Sequence, residues 1–141
     1  MEKVDVVVTF GTFDLFHFGH LEIFRRCKIL GKKLVVGVSS DKLNFSKKGH
    51  FPIICEKQRI EMIRSCQYVD EVFVEHDLKL KGQYLKEHNA DLLIMGDDWK
   101  NTFDEFKSIC KVAYLPRTKK ISSTEIVWKI IKSFNNNELT K

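Results

Sequence analysis

Proline and glycine are scarce in this chain: 2 and 7 residues out of 141. That scarcity excludes a collagen-like or low-complexity polymer and leaves one ordinary globular domain as the simplest reading. No apolar run approaches the roughly 20 residues needed to cross a bilayer, and the first residues lack a signal-peptide apolar segment. The expectation is a soluble, cytoplasmic protein with no membrane partner. Cys27, Cys55, Cys66 and Cys110 are scattered without a C-x-x-C pair, which argues against a disulfide framework or zinc knuckle and predicts reduced thiols. Long blocks of like charge are missing too, although the formal charge is +5. Aromatic residues lie within apolar segments rather than among arginines, so no nucleic-acid partner is expected. The basic surplus favours small anions instead.

What is present is an alternation. Apolar, β-branched runs of strand length recur at 4–10, 33–39, 69–75, 90–96 and 111–116, as in strands covered on both faces. Helical spacing fills the gaps. Leu21, Phe24 and Cys27 share one side of a segment that Gly31 stops; Ile60, Ile63 and Cys66 repeat the spacing. "LKGQYLKEHN" and "TFDEFKSIC" are shorter helix candidates, and "SSTEIVWKIIKSF" opens with capping hydroxyls and continues through Ile126, Ile130 and Ile131. The pattern predicts an α/β fold: a doubly wound, parallel five-stranded sheet with helices on both faces. One catalytic domain is expected over 1–133, with a polar tail over 134–141. Segment 41–55 breaks the alternation and reads as a long polar loop, a candidate lid.

Ligands of such sheets bind outside the carboxyl ends of the strands. "GTFDLFHFGH", residues 11–20, lies just there, with His17 and His20 at the start of the first helix and Gly11 and Gly19 beside them. A metal site, a catalytic base and a phosphate clamp would each use two histidines so placed. Zinc pairs on helices are usually spaced by four and need further ligands, which this stretch does not supply. Helix N-termini attract anions, and imidazole N–H groups add donors. Two histidines that simply cap a helix are the competing structural reading.

"GTFDLFHFGH" resembles the H-x-G-H signature of the cytidylyltransferase-like nucleotidyltransferases. "YVDEV" (68–72), "GDDW" (96–99), "LPRT" (115–118) and "ISST" (121–124) resemble, in order and spacing, the glycerol-3-phosphate branch of that family. The likeness covers residues 4 to 132. It implies a Rossmann-like fold, a CTP-dependent enzyme, and transfer of CMP from CTP to glycerol 3-phosphate with release of pyrophosphate and no covalent intermediate. CDP-glycerol for teichoic-acid-like or capsular polymers, a homodimer, and magnesium accompanying CTP are implied as well, with no metal ligands from the protein.

The site residues come from the same resemblance. His17, His20 and Lys47 would be catalytic. Thr12, Phe13, Asp98, Arg117, Thr118, Ile121, Ser122, Ser123 and Thr124 would join the histidines around the nucleotide. Lys47, Lys48, Lys81 and Trp99 would meet the small phosphate monoester, with Arg59 supporting from the next helix. Asp14 is read as holding the glycine turn or a neighbouring histidine; Asp97 accompanies Asp98. Three positions depart from the branch pattern: Gln67 for an arginine, Leu78 for a tryptophan, and "RTKKIS" with Lys119 and Lys120 for R-T-E-G-I-S. They leave phosphoethanolamine or phosphocholine as alternative acceptors. An adenylyltransferase and a non-catalytic nucleotide or nucleic-acid binder are the other readings weighed.

Overall fold

The computed structural model describes residues 2–119 and 121–136. Five strands, β1 (Val4–Gly11), β2 (Gly31–Ser39), β3 (Glu71–Glu75), β4 (Leu92–Gly96) and β5 (Lys111–Leu115), pair in parallel in the order β3-β2-β1-β4-β5. Five helices accompany them: α1 (Phe18–Leu30), α2 (Asp41–Lys48), α3 (Glu56–Arg64), α4 (Lys81–Glu87) and α5 (Ser123–Asn135). The chain winds outward from β1 in one direction, then returns to add β4 and β5 on the other side. That reversal opens a crevice beyond the carboxyl ends of β1 and β4.

Successive strand residues face opposite sides, so neighbours in β1 serve different cores. Val7 packs with Phe24 and Cys27 of α1 and Ile63 of α3; Val8 packs with Leu85 of α4, Leu93 and Cys110. Helices therefore cover both faces, as the apolar runs predict. All four cysteines are free, and burial pushes the Cys27 thiol up to about 12.

Several local expectations are corrected. Residues 41–48 are helix α2 rather than loop: the Ser40 hydroxyl accepts the Leu43 N–H, and buried Leu43 and Asn44 anchor the helix. Residues 104–108 form a 3-10 turn instead of an α-helix. Gly31 ends α1 in extended backbone, not as a left-handed stop; a methyl group there would collide with Val7. Ile130 and Ile131 continue α5 as the spacing predicts and are both exposed. Helix α5 continues to Asn135, two residues into the expected tail, while Lys120 and 137–141 lie outside the described residues.

Candidate active site

Two histidines begin the site. His17 is the N-cap of α1; its Nδ1 accepts the Gly19 N–H at 3.1 Å, and Nδ1 of His20 accepts the His17 N–H at 3.2 Å. An N–H donates only to an unprotonated ring nitrogen, so each neutral ring carries its proton on Nε2. The rings stack with centroids 3.7 Å apart, and Phe13 and Phe16 flank His20 at 5.3 and 5.7 Å. Burial and then the Arg117 guanidinium hold His17 below its ordinary value. His20 is pushed down to about 3 by burial, then by His17, with Arg117 adding and Asp14 opposing. The caps take Nδ1 of each ring and leave Nε2–H as a donor.

Backbone strain shapes the turn that carries them. Phe13 and Leu15 adopt left-handed φ of 57° and 52° without being glycine, a conformation that persists only where surroundings enforce it. Asp14 is one enforcer. Its Oδ1 accepts the Leu15 and Ile54 N–H groups and its Oδ2 the Ile53 N–H at 2.8 Å. It thus holds the glycine turn, as expected, and makes no hydrogen bond to either histidine. Thr12 donates its hydroxyl to Asn44 Oδ1 of α2 at 2.8 Å, and its carbonyl accepts from Arg59, so that carbonyl is already engaged.

The distant "ISST" segment meets this turn. Ser123 donates its hydroxyl to the Asp14 carbonyl at 2.8 Å across 109 positions of sequence. A Cβ on Gly19 would lie 2.9 Å from His17 Cε1 and 3.3 Å from a methyl of Ile121, so glycine lets the two segments pack closely without displacing the His17 ring. Ser122 caps α5 by accepting the Glu125 N–H, while Thr124 is exposed. Arg117 is exposed and lies 3.7 Å from Asp98 Oδ2. Asp98 lies two residues past the end of β4, and Trp99 beside it is exposed against Phe103. Thr118 is partly buried between Arg117 and Lys119.

The lysines divide. Lys47 and Lys48 are both exposed residues on the last turn of α2, but the Lys47 Nζ reaches in to Ser39 Oγ at 3.2 Å. Lys81 is no surface residue: it is 3 % exposed and pairs with buried Glu75 at 2.7 Å. Burial lowers both lysines, and Glu75 opposes that in each case. Arg59 is buried too. It donates to the carbonyls of Ile54, Thr12 and Ser39 and to Asp41 Oδ1, all within 2.7–2.9 Å.

Sequence reading passed over Ser39, Asp41, Asn44 and Glu75. Each lies at or just past the carboxyl end of β2 or β3, and that position was the signal that could have found them. Gln67 and Leu78 fall outside this constellation of contacts; Leu78 is exposed in a 3-10 turn before α4.

A family model described as Cytidylyltransferase-like matches residues 8–129, most of the chain and both halves of the site. The chain belongs to the cytidylyltransferase-like family. This family member is 43 % identical over 120 residues to the glycerol-3-phosphate cytidylyltransferase of Bacillus subtilis (strain 168), covering 85 % of this chain and 92 % of that one. It is 34 % identical to the ethanolamine-phosphate cytidylyltransferase of Dictyostelium discoideum over 86 % of this chain and 35 % of that protein. Among solved structures, a lipopolysaccharide core biosynthesis protein from Thermoplasma volcanium GSS1 superposes with a TM-score of 0.69 at 26 % identity, covering 82 % of this chain and 97 % of that one.

Proposed function

We propose that this enzyme transfers CMP from CTP to glycerol 3-phosphate, forming CDP-glycerol and pyrophosphate. The carrying observation is the junction of Ser123 and Ile121 with Asp14 and Gly19, which brings two helix starts and the His17–His20 pair to one end of β1. Such a junction suits a triphosphate: N–H and O–H donors converge from two sides, and Arg117 adds positive charge.

In the reaction, a phosphate oxygen of the acceptor attacks the α-phosphorus of CTP. The new P–O bond forms as the bond to the β-phosphate breaks, and pyrophosphate leaves with the electron pair. His17 and His20 start neutral and donate through Nε2–H, so their bonds strengthen as charge collects on the phosphate oxygens. Lys47 and Lys81 meet the acceptor phosphate, and Asp98 and Trp99 border the crevice at the end of β4. Positioning and charge stabilisation suffice; no side chain need form a covalent bond to phosphorus.

Magnesium belongs to this proposal as the companion of the triphosphate. Among the described residues no group of three or more His, Cys, Asp or Glu is placed to hold a metal, and Asp14 spends both oxygens on backbone N–H groups. That donor set fits an ion carried by phosphate oxygens and water, where it would neutralise charge. A cytoplasmic location, a role in polymer synthesis and a homodimer complete the proposal. No described helix is long and apolar enough to cross a membrane, and exposed Trp128, Ile130, Ile131 and Phe134 of α5 offer an apolar face for a second copy.

Glycerol 3-phosphate is favoured as acceptor by the Bacillus relative, nearly all of whose length is matched. Choline would call for an aromatic cage, and Leu78 gives no aromatic wall. Pyrophosphate release measured across CTP, ATP, UTP and GTP with glycerol 3-phosphate, phosphoethanolamine and phosphocholine tests the proposal. Fastest release with CTP and glycerol 3-phosphate is expected; preference for ATP, or for another acceptor, refutes the corresponding half.

A further inference from the structure

Glu75 closes β3 at 1 % exposure and is joined to more than its ion-pair partner. Its Oε2 accepts from Lys81 Nζ at 2.7 Å, and its Oε1 lies 3.5 Å from the hydroxyl of Ser39, the last residue of β2. The same hydroxyl accepts from Lys47 Nζ at 3.2 Å. A relay therefore runs from Lys47 on α2, through Ser39 and Glu75 at the ends of β2 and β3, to Lys81 on α4. The main chain braces it: the Ser40 N–H donates to the Glu75 carbonyl at 3.0 Å, and Arg59 holds the Ser39 carbonyl at 2.9 Å. Beneath Lys81, the Phe10 ring of β1 lies 3.7 Å from the ammonium, fixing its lower side.

Charge balance separates this cluster from an ordinary buried ion pair. Arg59 has its own carboxylate in Asp41 at 2.7 Å. Glu75 is left to serve both Lys47 and Lys81, so one positive charge stays in surplus. A structural pair needs one acid and one base; here a second ammonium, on an otherwise exposed side chain, reaches in to the pair from the solvent side. An incoming phosphate monoester supplies the missing negative charge. The cluster is coupled to the nucleotide side as well, since α2, which carries Lys47, also supplies Asn44 to the hydroxyl of Thr12.

We propose that Glu75, acting through Ser39, is a positioning residue that holds Lys47 and Lys81 together as one receptor for the acceptor phosphate. This rests on the reaction assigned above and adds to it a residue that never touches substrate. The groups facing the two lysines are Glu75 from β3, Arg59 from α3 with Asp41, and Lys48 beside Lys47 on α2. Glu75 is the one of these that opposes the burial of both, favouring their charged forms. Its removal makes both ammonium groups easier to deprotonate, so the alkaline limb of acceptor use moves to lower pH.

The test compares Glu75→Gln and Ser39→Ala with the wild type by steady-state kinetics, varying CTP and glycerol 3-phosphate separately. Glu75→Gln should raise the KM for glycerol 3-phosphate by roughly 10–100-fold, the range of one charge-assisted hydrogen bond. It should leave the KM for CTP within about twofold and shift the alkaline limb of kcat/KM for the acceptor downward. Ser39→Ala keeps the Glu75–Lys81 pair and cuts only the arm to Lys47, so a smaller rise of about 3–10-fold is expected. Should Glu75→Gln not fold, Glu75→Asp and Ser39→Ala carry the decision by the same split. Folded variants with an unchanged acceptor KM and an unmoved alkaline limb overturn the proposal and leave Glu75 a structural residue. Wild-type turnover with no effect of the variants defeats this inference alone; no wild-type turnover with any acceptor defeats the parent reading and this one with it.

Discussion

Replacing Arg59 with methionine removes a guanidinium while keeping most of the side chain's volume. In the folded protein that guanidinium is 1 % exposed and makes four hydrogen bonds, three to carbonyls and one to Asp41 Oδ1. Breaking a buried ion pair by removing one partner costs about 3–5 kcal/mol, because the remaining charge stays desolvated. Asp41 keeps 27 % of its side-chain surface exposed, so its share belongs at the low end. The carbonyls of Thr12, Ser39 and Ile54 lose their partner as well, and each unsatisfied group adds about 1 kcal/mol or more where water does not refill it. A net loss of about 4 kcal/mol follows, which at this chain length lowers Tm by roughly 15 °C. Urea denaturation followed by far-ultraviolet circular dichroism measures it. Asp41→Asn and the double variant complete a cycle whose coupling should be about 1–3 kcal/mol. Because Arg59 ties the ends of β1 and β2 together, kcat should fall even where the protein remains folded. A stability loss below about 1 kcal/mol in Arg59→Met would refute the idea that this residue pins the site.

Three further outcomes are expected. His17→Ala should lower kcat by about 10²–10³ through loss of one donor to the reacting phosphates, and stability by only about 1 kcal/mol through loss of the cap; steady-state kinetics and a melting curve check both. His20 titrates at about 3 in the fold against an ordinary 6.5, so its contribution to stability is complete above about pH 6.5 and is lost as pH falls toward 3. His20→Phe should therefore flatten part of the acid loss in denaturation curves taken across that window. Gly19→Ala places a methyl against the His17 ring and Ile121, so it should raise the KM for CTP by roughly tenfold with the fold retained, a shift that corresponds to about 1.4 kcal/mol.

Strands and the first helix were legible because their signals are local. The β-branched runs around Val7, Val35 and Leu93 must be covered on both faces, and little besides a parallel sheet accomplishes that. Helix α2 was missed since "DKLNFSKK" has almost no apolar stripe; its Ser40 cap and Gly49 end were available but outweighed by polarity. Lys81 is read from the resemblance as a substrate contact, but its burial and its pairing with Glu75 are not legible, because Glu75 reaches it only when the end of β3 meets the start of α4. The same holds for Arg59, whose carbonyl partners come from three separate segments. Burial of a charge depends on tertiary partners, and a single sequence displays none of them. The histidine pair fared differently. Motif and position located it, whereas the reciprocal caps that fix both tautomers required coordinates.

The most direct measurement is a phosphorus NMR time course of the purified protein with CTP, glycerol 3-phosphate and magnesium. Transfer of CMP predicts paired resonances of a new diphosphate diester growing in equal amount with pyrophosphate, while CTP and glycerol 3-phosphate decline together. Pyrophosphate without the diester, or unchanged spectra with every acceptor supplied, would contradict it.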